Sequence, residues 1–431
     1  MARSLEHWLD YIEQQHPQSI AMGLDRVREA AASMSLGHPA RHVITVGGTN
    51  GKGSTVAFIE AIARSAGLRV GAYTSPHLLR YNERVRIDGQ EASDDDLVAA
   101  FEAIEAARLL SPPGEGRKIP LTYFEFGTLA ALWLFQRANL DLVILEVGLG
   151  GRLDAVNIID ADVAVLTTVD IDHVEWLGSD RESIGYEKAG IARAWKPLVL
   201  GEIDSPASVL RHAYAIGANA IRLGSDFFHE PIDAQRWRWH EVGAMLELRS
   251  PMPAVPAQRN NAAAAIAALR ALPIDIPAQA FAEGVASAMV PGRLQRVEHQ
   301  GAAVVILDVA HNPQAARELA LWLRSEPIGG DTLAVFGALA DKDVKAVVDT
   351  LSPQISHWFL AGLELAGPRG QQVDALAAKL AGTAAGAGER HASVADALNA
   401  ARKAARANDR IIVFGSFHTV ADAWALLHSG Q

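Results

Sequence analysis

The chain contains no cysteine, so disulfides, thiolate metal sites and cysteine nucleophiles are excluded. It has no basic excess either. Its 39 lysines and arginines face 50 aspartates and glutamates, a net charge of −11, which argues against a general nucleic-acid or membrane-surface binder. Any anionic ligand must be held by a local site. Long apolar runs are missing: the most apolar stretch, residues 126–135, is too short to span a bilayer and runs into Gln136-Arg137. Residues 1–13 have neither the apolar centre nor the small-residue cleavage site of a signal peptide. No internal repeat or low-complexity tail is visible. What is present, 431 residues with 49% hydrophobic and 21% charged side chains, is an ordinary globular composition, long enough for two or three domains. The reading is of a soluble, cytoplasmic protein.

One stretch organises the rest. The β-branched run Val43-Ile44-Thr45-Val46 stops at Gly47-Gly48, a short loop ends in Asn50-Gly51-Lys52-Gly53-Ser54, and a helical pattern follows from about Thr55 to Ser65. Strand, glycine loop, lysine and helix have the layout of a phosphate cradle, in which backbone N–H groups and the helix N-terminus face an anion and lysine adds a full charge; the plainer reading is an ordinary βα turn that happens to hold a lysine. The match to G-x-x-x-x-G-K-[ST] is imperfect. Val46 replaces the first glycine, Gly53 follows the lysine, and the hydroxyl of Ser54 comes one residue late.

Before this loop, helical spacing covers residues 4–16 and 24–33. After it, Val70-Gly71-Ala72-Tyr73 reads as a strand ending in Thr74-Ser75-Pro76-His77, and residues 85–88 as a short strand. Ser93 with Asp96 opens a helix through Leu110, SPPGEG (residues 111–116) reads as a loop, and residues 122–137 as a buried helix. Leu142-Val143-Ile144-Leu145 and Val163-Ala164-Val165-Leu166 are wholly apolar, as strands buried on both faces of a parallel sheet must be. Ligands of open α/β sheets bind beyond the C-terminal strand ends. Four such ends present, in order, the glycine loop, Ser75, Glu146 and His173.

A triphosphate on the glycine loop needs Mg²⁺, which favours oxygen ligands. Ser75 and Glu146 supply oxygen, Asp170 and Asp172 are alternatives, and His173 supplies nitrogen. Singly, each has a plainer reading. Ser75 starts a turn before Pro76, Glu146 and His173 cap helices, and Lys188 is a surface lysine paired with an acid on its own helix. Residues 203–257 read as less regular, with Trp237 and Trp239 in an alternating hairpin-like segment, and Asn260-Asn261 leads an alanine-rich helix to Arg270. Beyond Pro291-Gly292-Arg293 a new series of strands starts near residues 304–307, 333–336, 357–360 and 411–414, with helices near 313–324, 342–351, 370–380, 393–406 and 418–427. TAAGAGER (residues 383–390) reads as a flexible loop. Asp308-Val309-Ala310-His311-Asn312-Pro313 comes straight off the first of these strands, and Asn312-Pro313 also fits an N-cap and N1 pair.

These motifs, with Glu146-Val147-Gly148-Leu149-Gly150-Gly151-Arg152-Leu153-Asp154-Ala155, Asp172-His173 and Glu187-Lys188-Ala189-Gly190-Ile191, closely resemble the folylpolyglutamate synthase / dihydrofolate synthase family of Mur-type, ADP-forming amide ligases, in order and over nearly the whole chain. The displaced hydroxyl at Ser54 is that family's own variant. The resemblance implies an α/β fold: an N-terminal, P-loop-type, mainly parallel sheet domain (residues 1–290) and a smaller C-terminal Rossmann-like α/β domain (297–431), joined by a linker at 291–296. It implies that Asn50, Gly51, Lys52, Gly53 and Ser54 bind ATP, with Asn261, Arg293, Asp308 and His311 as further nucleotide contacts. Ser54 is expected to touch phosphate rather than metal. Ser75, Glu146, His173 and a carbamylated Lys188 would hold Mg²⁺, two ions in all, with Glu146, His173 and Lys188 serving catalysis. Ala21-Met22-Gly23, Thr122-Tyr123-Phe124-Glu125 and Leu153-Asp154-Ala155 match the segments that bind a pterin. The implied substrates are ATP, L-glutamate, dihydropteroate and reduced folates, with no nucleic acid or membrane partner, and the implied state is a monomer.

Three alternatives differ in chemistry. A folylpolyglutamate synthase alone would not act on dihydropteroate. A cell-wall Mur ligase would carry a further N-terminal domain for a UDP-sugar, and about 45 residues before the glycine loop are too few for one. A nucleotide switch would need neither the acid, histidine and lysine set nor a second domain with Asp308 and His311.

Overall fold

Strands without alternation form the middle of the first sheet. In the computed structural model, which describes residues 3–18, 20–109, 118–298 and 302–428, these strands are β1 (Ala40–Gly47), β2 (Val70–Tyr73), β3 (Val85–Ile87), β4 (Gln90–Glu91), β5 (Leu140–Glu146), β6 (Val163–Leu166), β7 (Pro197–Leu200) and β8 (Asn219–Arg222). They lie in the order β4-β3-β2-β5-β1-β6-β7-β8. Neighbours run parallel from β2 to β8, and β3 and β4 add an antiparallel edge. The chain leaves β1 toward β2 on one side and β6 toward β7 on the other, so the outgoing loops diverge between β1 and β6, where open α/β sheets hold ligands. Register brings the functional ends level: Val46 pairs with Glu146 and Gly47 with Leu166.

Side chains of β1 alternate between two cores. Val43 joins the helices Leu5–Glu13, Asp25–Ser33, Asp94–Leu109 and Tyr123–Ala138 on one face, while Ile44 and Val46 join Lys52–Ser65, Pro256–Arg270 and Ala278–Ser287 on the other. The second core is closed by an antiparallel sheet of β9 (Phe227–Pro231), β10 (Arg236–Glu241) and β11 (Ala244–Arg249). There Trp237 and Trp239 are fully buried, and Trp239 donates from its indole to the Ala263 carbonyl at 3.2 Å.

The chain divides into two units, Met1–Met289 and Val290–Gln431. The second holds β12 (Gln295–Val297), β13 (Val304–Leu307), β14 (Thr332–Phe336), β15 (His357–Ala361), β16 (Glu389–His391) and β17 (Arg410–Phe414), ordered β12-β13-β17-β14-β15-β16. All its neighbours are parallel except β12 with β13, the pattern of a doubly wound α/β sheet. Both units agree with the expected fold class.

Five details differ from expectation. The glycine-loop helix starts at Lys52, not Thr55, because Gly51 already serves as its N-cap. Residues 203–222 are regular, with a helix (Ala207–Ile216) and the edge strand β8, whose half-exposed side chains blur the strand pattern. The alanine-rich helix starts at Pro256, at its N1 position. In the second unit, residues 383–390 are not a flexible loop: Ala384–Ala387 forms a 3₁₀ turn with Ala385 buried, and β16 follows. The segment 291–296 expected as a linker runs into β12. The loop expected at residues 111–116 lies outside the described residues. Among the described residues no helix is long and apolar enough to cross a membrane.

Candidate active site

The glycine loop is held in shape from below by the end of β6. Thr167 donates from Oγ1 to the Asn50 carbonyl at 2.6 Å, the Asn50 N–H donates to Thr168 Oγ1 at 3.1 Å, and the Thr49 N–H donates to the Thr168 carbonyl at 2.8 Å. Thr49 Oγ1 bridges both the N–H and the carbonyl of Asp170 at 3.0 Å. Two glycines are required here. Gly48 has φ +145°, and a Cβ on it would collide with Thr167 Oγ1. Gly51 has φ +86°, and a Cβ on it would collide with Asn261 Oδ1. Asn261, expected at the nucleotide, thus lies directly over the loop.

Two lysines converge on one carbonyl. Lys52 Nζ donates to the Gly48 carbonyl at 3.1 Å and to that of Thr49 at 3.2 Å, and Lys188 Nζ donates to the same Gly48 oxygen at 2.9 Å. Lys188 is only 4% exposed, so the surface-lysine reading fails; the acid on its helix, Glu187, pairs with Arg152 instead. Burial, and then the charge of Lys52, push the Lys188 ammonium down to about 7 against the pull of Asp172 and Asp154. Ser54 is buried, and its Oγ accepts from Gln258 Nε2 at 3.2 Å, which leaves the hydroxyl proton to donate.

Glu146 stands buried at the end of β5 and accepts the Ser75 N–H at 3.1 Å. Its carboxylate faces Gly53, lying 3.7–3.8 Å from where a Cβ would be, an ordinary van der Waals distance, so the acid sits directly against the residue after Lys52. His173 begins the short helix Val174–Leu177 in a left-handed conformation (φ 52°), its N–H donating to Asp172 Oδ1 at 2.8 Å. Among the described residues no three His, Asp or Glu side chains form a ready-made metal cage. The bond from the Ser75 N–H brings Ser75 and Glu146 together, and among the described residues no group of three His, Asp or Glu side chains gathers Glu146 with His173.

The three expected pterin segments meet one another. Gly23 donates to the Leu153 carbonyl, Arg26 donates to the Ala21 carbonyl at 2.9 Å and pairs with Glu125 at 3.0 Å, and Met22 approaches Gly150. Thr122 and Glu125 form a capping box, so part of Glu125 is spent on the helix start. The Phe124 ring lies over Gly148 and 5.9 Å from that of Tyr73, and Tyr123 packs edge-on against Tyr81. Asp154 takes N–H groups of Gly148, Leu149 and Val156, yet burial raises its carboxyl to about 7. Ala155 is buried in the turn that follows.

In the second unit, buried Asp308 accepts the N–H groups of Leu294 (2.9 Å) and Ala310 (2.8 Å), and burial raises its carboxyl while Arg293 opposes the rise. His311 Nδ1 lies 2.8 Å from the Val309 carbonyl. Asn312 is indeed the N-cap of Pro313–Ser325.

Several residues here escaped the sequence reading. Thr167 and Thr168 directly follow a recognised strand, and Gln258 precedes Asn261 by one helical turn; both positions were visible signals. Arg84 was not. It is buried, donates to His77 Nδ1 at 2.9 Å and lies over the rings of Tyr81 and Tyr123, and among the described residues it pairs with no carboxylate.

Residues 46–269 match the Mur ligase middle domain and residues 292–417 the Mur ligase, glutamate ligase domain. The dihydrofolate synthase/folylpolyglutamate synthase of Escherichia coli is 47% identical over 97% of this chain and 94% of its own length. FolC of E. coli in complex with DHPP and ADP is similar over 100% of this chain and 99% of its own, with a TM-score of 0.92 and 45% identity. The bifunctional synthase of Yersinia pestis complexed with AMPPNP and a Mn ion covers 99% and 98%, with a TM-score of 0.88 and 45% identity. The chain thus belongs to the dihydrofolate synthase/folylpolyglutamate synthase family of Mur-type, ATP-dependent acid–amino-acid ligases.

Proposed function

We propose that this chain joins L-glutamate to dihydropteroate, giving dihydrofolate, and to reduced folates, giving folylpolyglutamates, with ATP converted to ADP and phosphate. The observation that carries this reading is the meeting of Lys52, Lys188 and the Ser75–Glu146 pair around one glycine loop, in a chain alike over almost its full length to bifunctional synthases. A carboxylate oxygen of the acid attacks the γ-phosphorus and the bond to the β-phosphate breaks. The glutamate amine then adds to the acyl phosphate carbon, and phosphate leaves with that carboxylate oxygen as the amide forms. Backbone N–H groups at the start of Lys52–Ser65, the Lys52 ammonium and the Ser54 hydroxyl bind the phosphates. Asn261 is a further nucleotide contact of the first unit, and Arg293, Asp308 and His311 are the proposed nucleotide contacts of the second. Arg84, which pairs with no carboxylate among the described residues, is available to a substrate carboxylate. Phe124 and Tyr123 offer flat faces to a pterin, and Asp154, Thr122 and Glu125 with Ala21, Met22, Gly23, Leu153 and Ala155 complete its walls.

The oxygen donors Ser75 and Glu146 suit Mg²⁺, which takes one or two carboxylates and fills its shell with phosphate oxygens and water. Ser75, Glu146, His173 and Lys188 would hold two such ions, whose role is to offset phosphate charge. An ammonium at Lys188 would oppose them. Addition of CO₂ to its neutral amine, with loss of one proton, turns it into a carbamate that attracts them. Glu146→Gln is expected to raise the Mg²⁺ needed for half-maximal turnover about 10- to 100-fold; an unchanged requirement removes Glu146 from the ligand set. We further place the protein in the cytoplasm as a monomer.

The test is a panel of dihydropteroate, tetrahydrofolate and a UDP-muramyl acid, each with ATP and L-glutamate. ADP release with the first two and not the third is expected. Release with tetrahydrofolate only would restrict the protein to polyglutamylation, and an ATPase indifferent to all of them would overturn the reading.

A further inference from the structure

Ser75 and Arg84 are the two ends of one short excursion between β2 and β3, and a single carboxylate shapes it. Glu83 Oε2 accepts the N–H of Leu78 at 2.7 Å, and Oε1 accepts the N–H groups of Leu79 at 2.6 Å and Arg80 at 2.7 Å. Three consecutive backbone donors reach one carboxylate only if the chain curls around it into an anion-binding concavity. The anion here is a side chain of the protein itself. The same residue is fixed from behind. Arg86 Nη1 donates to the Glu83 carbonyl at 3.0 Å and to Thr74 Oγ1 at 3.2 Å, while its Nη2 donates at 2.7 Å to Glu60, a buried acid on the glycine-loop helix. The Thr74 N–H donates to the Arg84 carbonyl at 2.9 Å. A continuous set of bonds therefore runs from helix Lys52–Ser65 through Glu60, Arg86 and Glu83 to the loop that presents Ser75 to Glu146, His77 to Arg84, and Arg84 to Tyr81 and Tyr123.

We propose that Glu83 is a positioning residue for the ligase reaction: it holds the 75–80 loop in the one shape that sets Ser75 against Glu146 and keeps the Arg84 guanidinium directed by His77. This rests on the function proposed above. Global stability has little need of these bonds, because Leu79 and Arg80 are exposed and water takes over their N–H groups when the carboxylate is lost. The shape of the loop has no such substitute, since water does not hold three donors on one point.

The test uses the full chain with Glu83→Gln, which keeps the size of the side chain but halves its acceptors, and Glu83→Ala. Amide hydrogen exchange without nucleotide should accelerate at Leu78, Leu79 and Arg80 in both variants, with the Tm of Glu83→Gln within about 3 °C of the parent. The kcat for glutamate addition should fall about 100-fold, with KM for ATP within about threefold. Unchanged exchange at these amides, full kcat with the protection lost, or a Tm loss that accounts for the lost activity would each overturn the proposal. A parent protein that adds no glutamate to any acid would instead sink the proposed function, while the exchange result would still report on Glu83.

Discussion

Gly51→Ala yields a folded protein that holds nucleotide about 100-fold more weakly. Gly51 is the N-cap of Lys52–Ser65 at φ +86°, and its missing Cβ leaves the space that Asn261 Oδ1 occupies. An alanine there costs about 1–2 kcal/mol in the left-handed conformation alone, and the collision adds to it. The strain is relieved by moving Asn261 or by turning the peptide away. Either route disturbs a proposed nucleotide contact, and the second also shifts Lys52 and the helix N-terminus away from the proposed phosphate position. Titration with a non-hydrolysable ATP analogue is expected to show about 100-fold weaker binding, or about 2.7 kcal/mol, with a Tm loss of about 2–8 °C. Binding within about threefold of the parent would mean that the loop does not cradle the phosphates.

Lys188→Ala separates binding from chemistry. Lys52, the proposed phosphate lysine, is kept in this variant, so nucleotide affinity should stay within about threefold while kcat falls about 1000-fold, which corresponds to about 4 kcal/mol of barrier. Stripping CO₂ from the parent protein should lower its activity, and bicarbonate should restore it; neither treatment should affect the variant. Normal turnover in Lys188→Ala removes the carbamate from the mechanism. The unmodified residue also leaves a mark on stability. Its amine is depressed to about 7 in the fold against about 10.4 in an unfolded chain, so between these values the unfolded state binds the extra proton. Stability due to this residue is complete above the unfolded value and is lost as pH falls through the folded one. The parent protein, depleted of CO₂, should therefore gain stability from pH 7 to pH 10 in chemical denaturation, and Lys188→Ala should lack that gain.

Much of the fold could be read in advance because β5, β6 and β13 are apolar on both faces, a pattern only a covered parallel sheet explains. The strand-end rule brought the glycine loop, Ser75, Glu146 and His173 into consideration for the same reason, and register then sets Val46 beside Glu146. Where residues act through tertiary register, the position could be read but the contact could not. Nothing local announces that Thr167 closes on Asn50, that Gln258 reaches Ser54, or that Lys188 is buried on the Gly48 carbonyl across 140 residues of chain. Glu83 was hidden differently. Within the sequence Asn82-Glu83-Arg84 it looks like ordinary surface charge, and only the curl of the loop before it shows three amides on one carboxylate. Short or half-exposed elements such as β8, β12 and β16 escaped because edge strands bury too little to impose a pattern.

The central claim, that the acid is activated as an acyl phosphate before glutamate attacks, is tested most directly by isotope transfer. Dihydropteroate labelled with ¹⁸O in its carboxylate is turned over with ATP and L-glutamate, and the released phosphate is analysed by mass spectrometry. One labelled oxygen in each phosphate formed, matched to one amide product, is the predicted result. Phosphate free of label, with the departing carboxylate oxygen recovered in water, would contradict it.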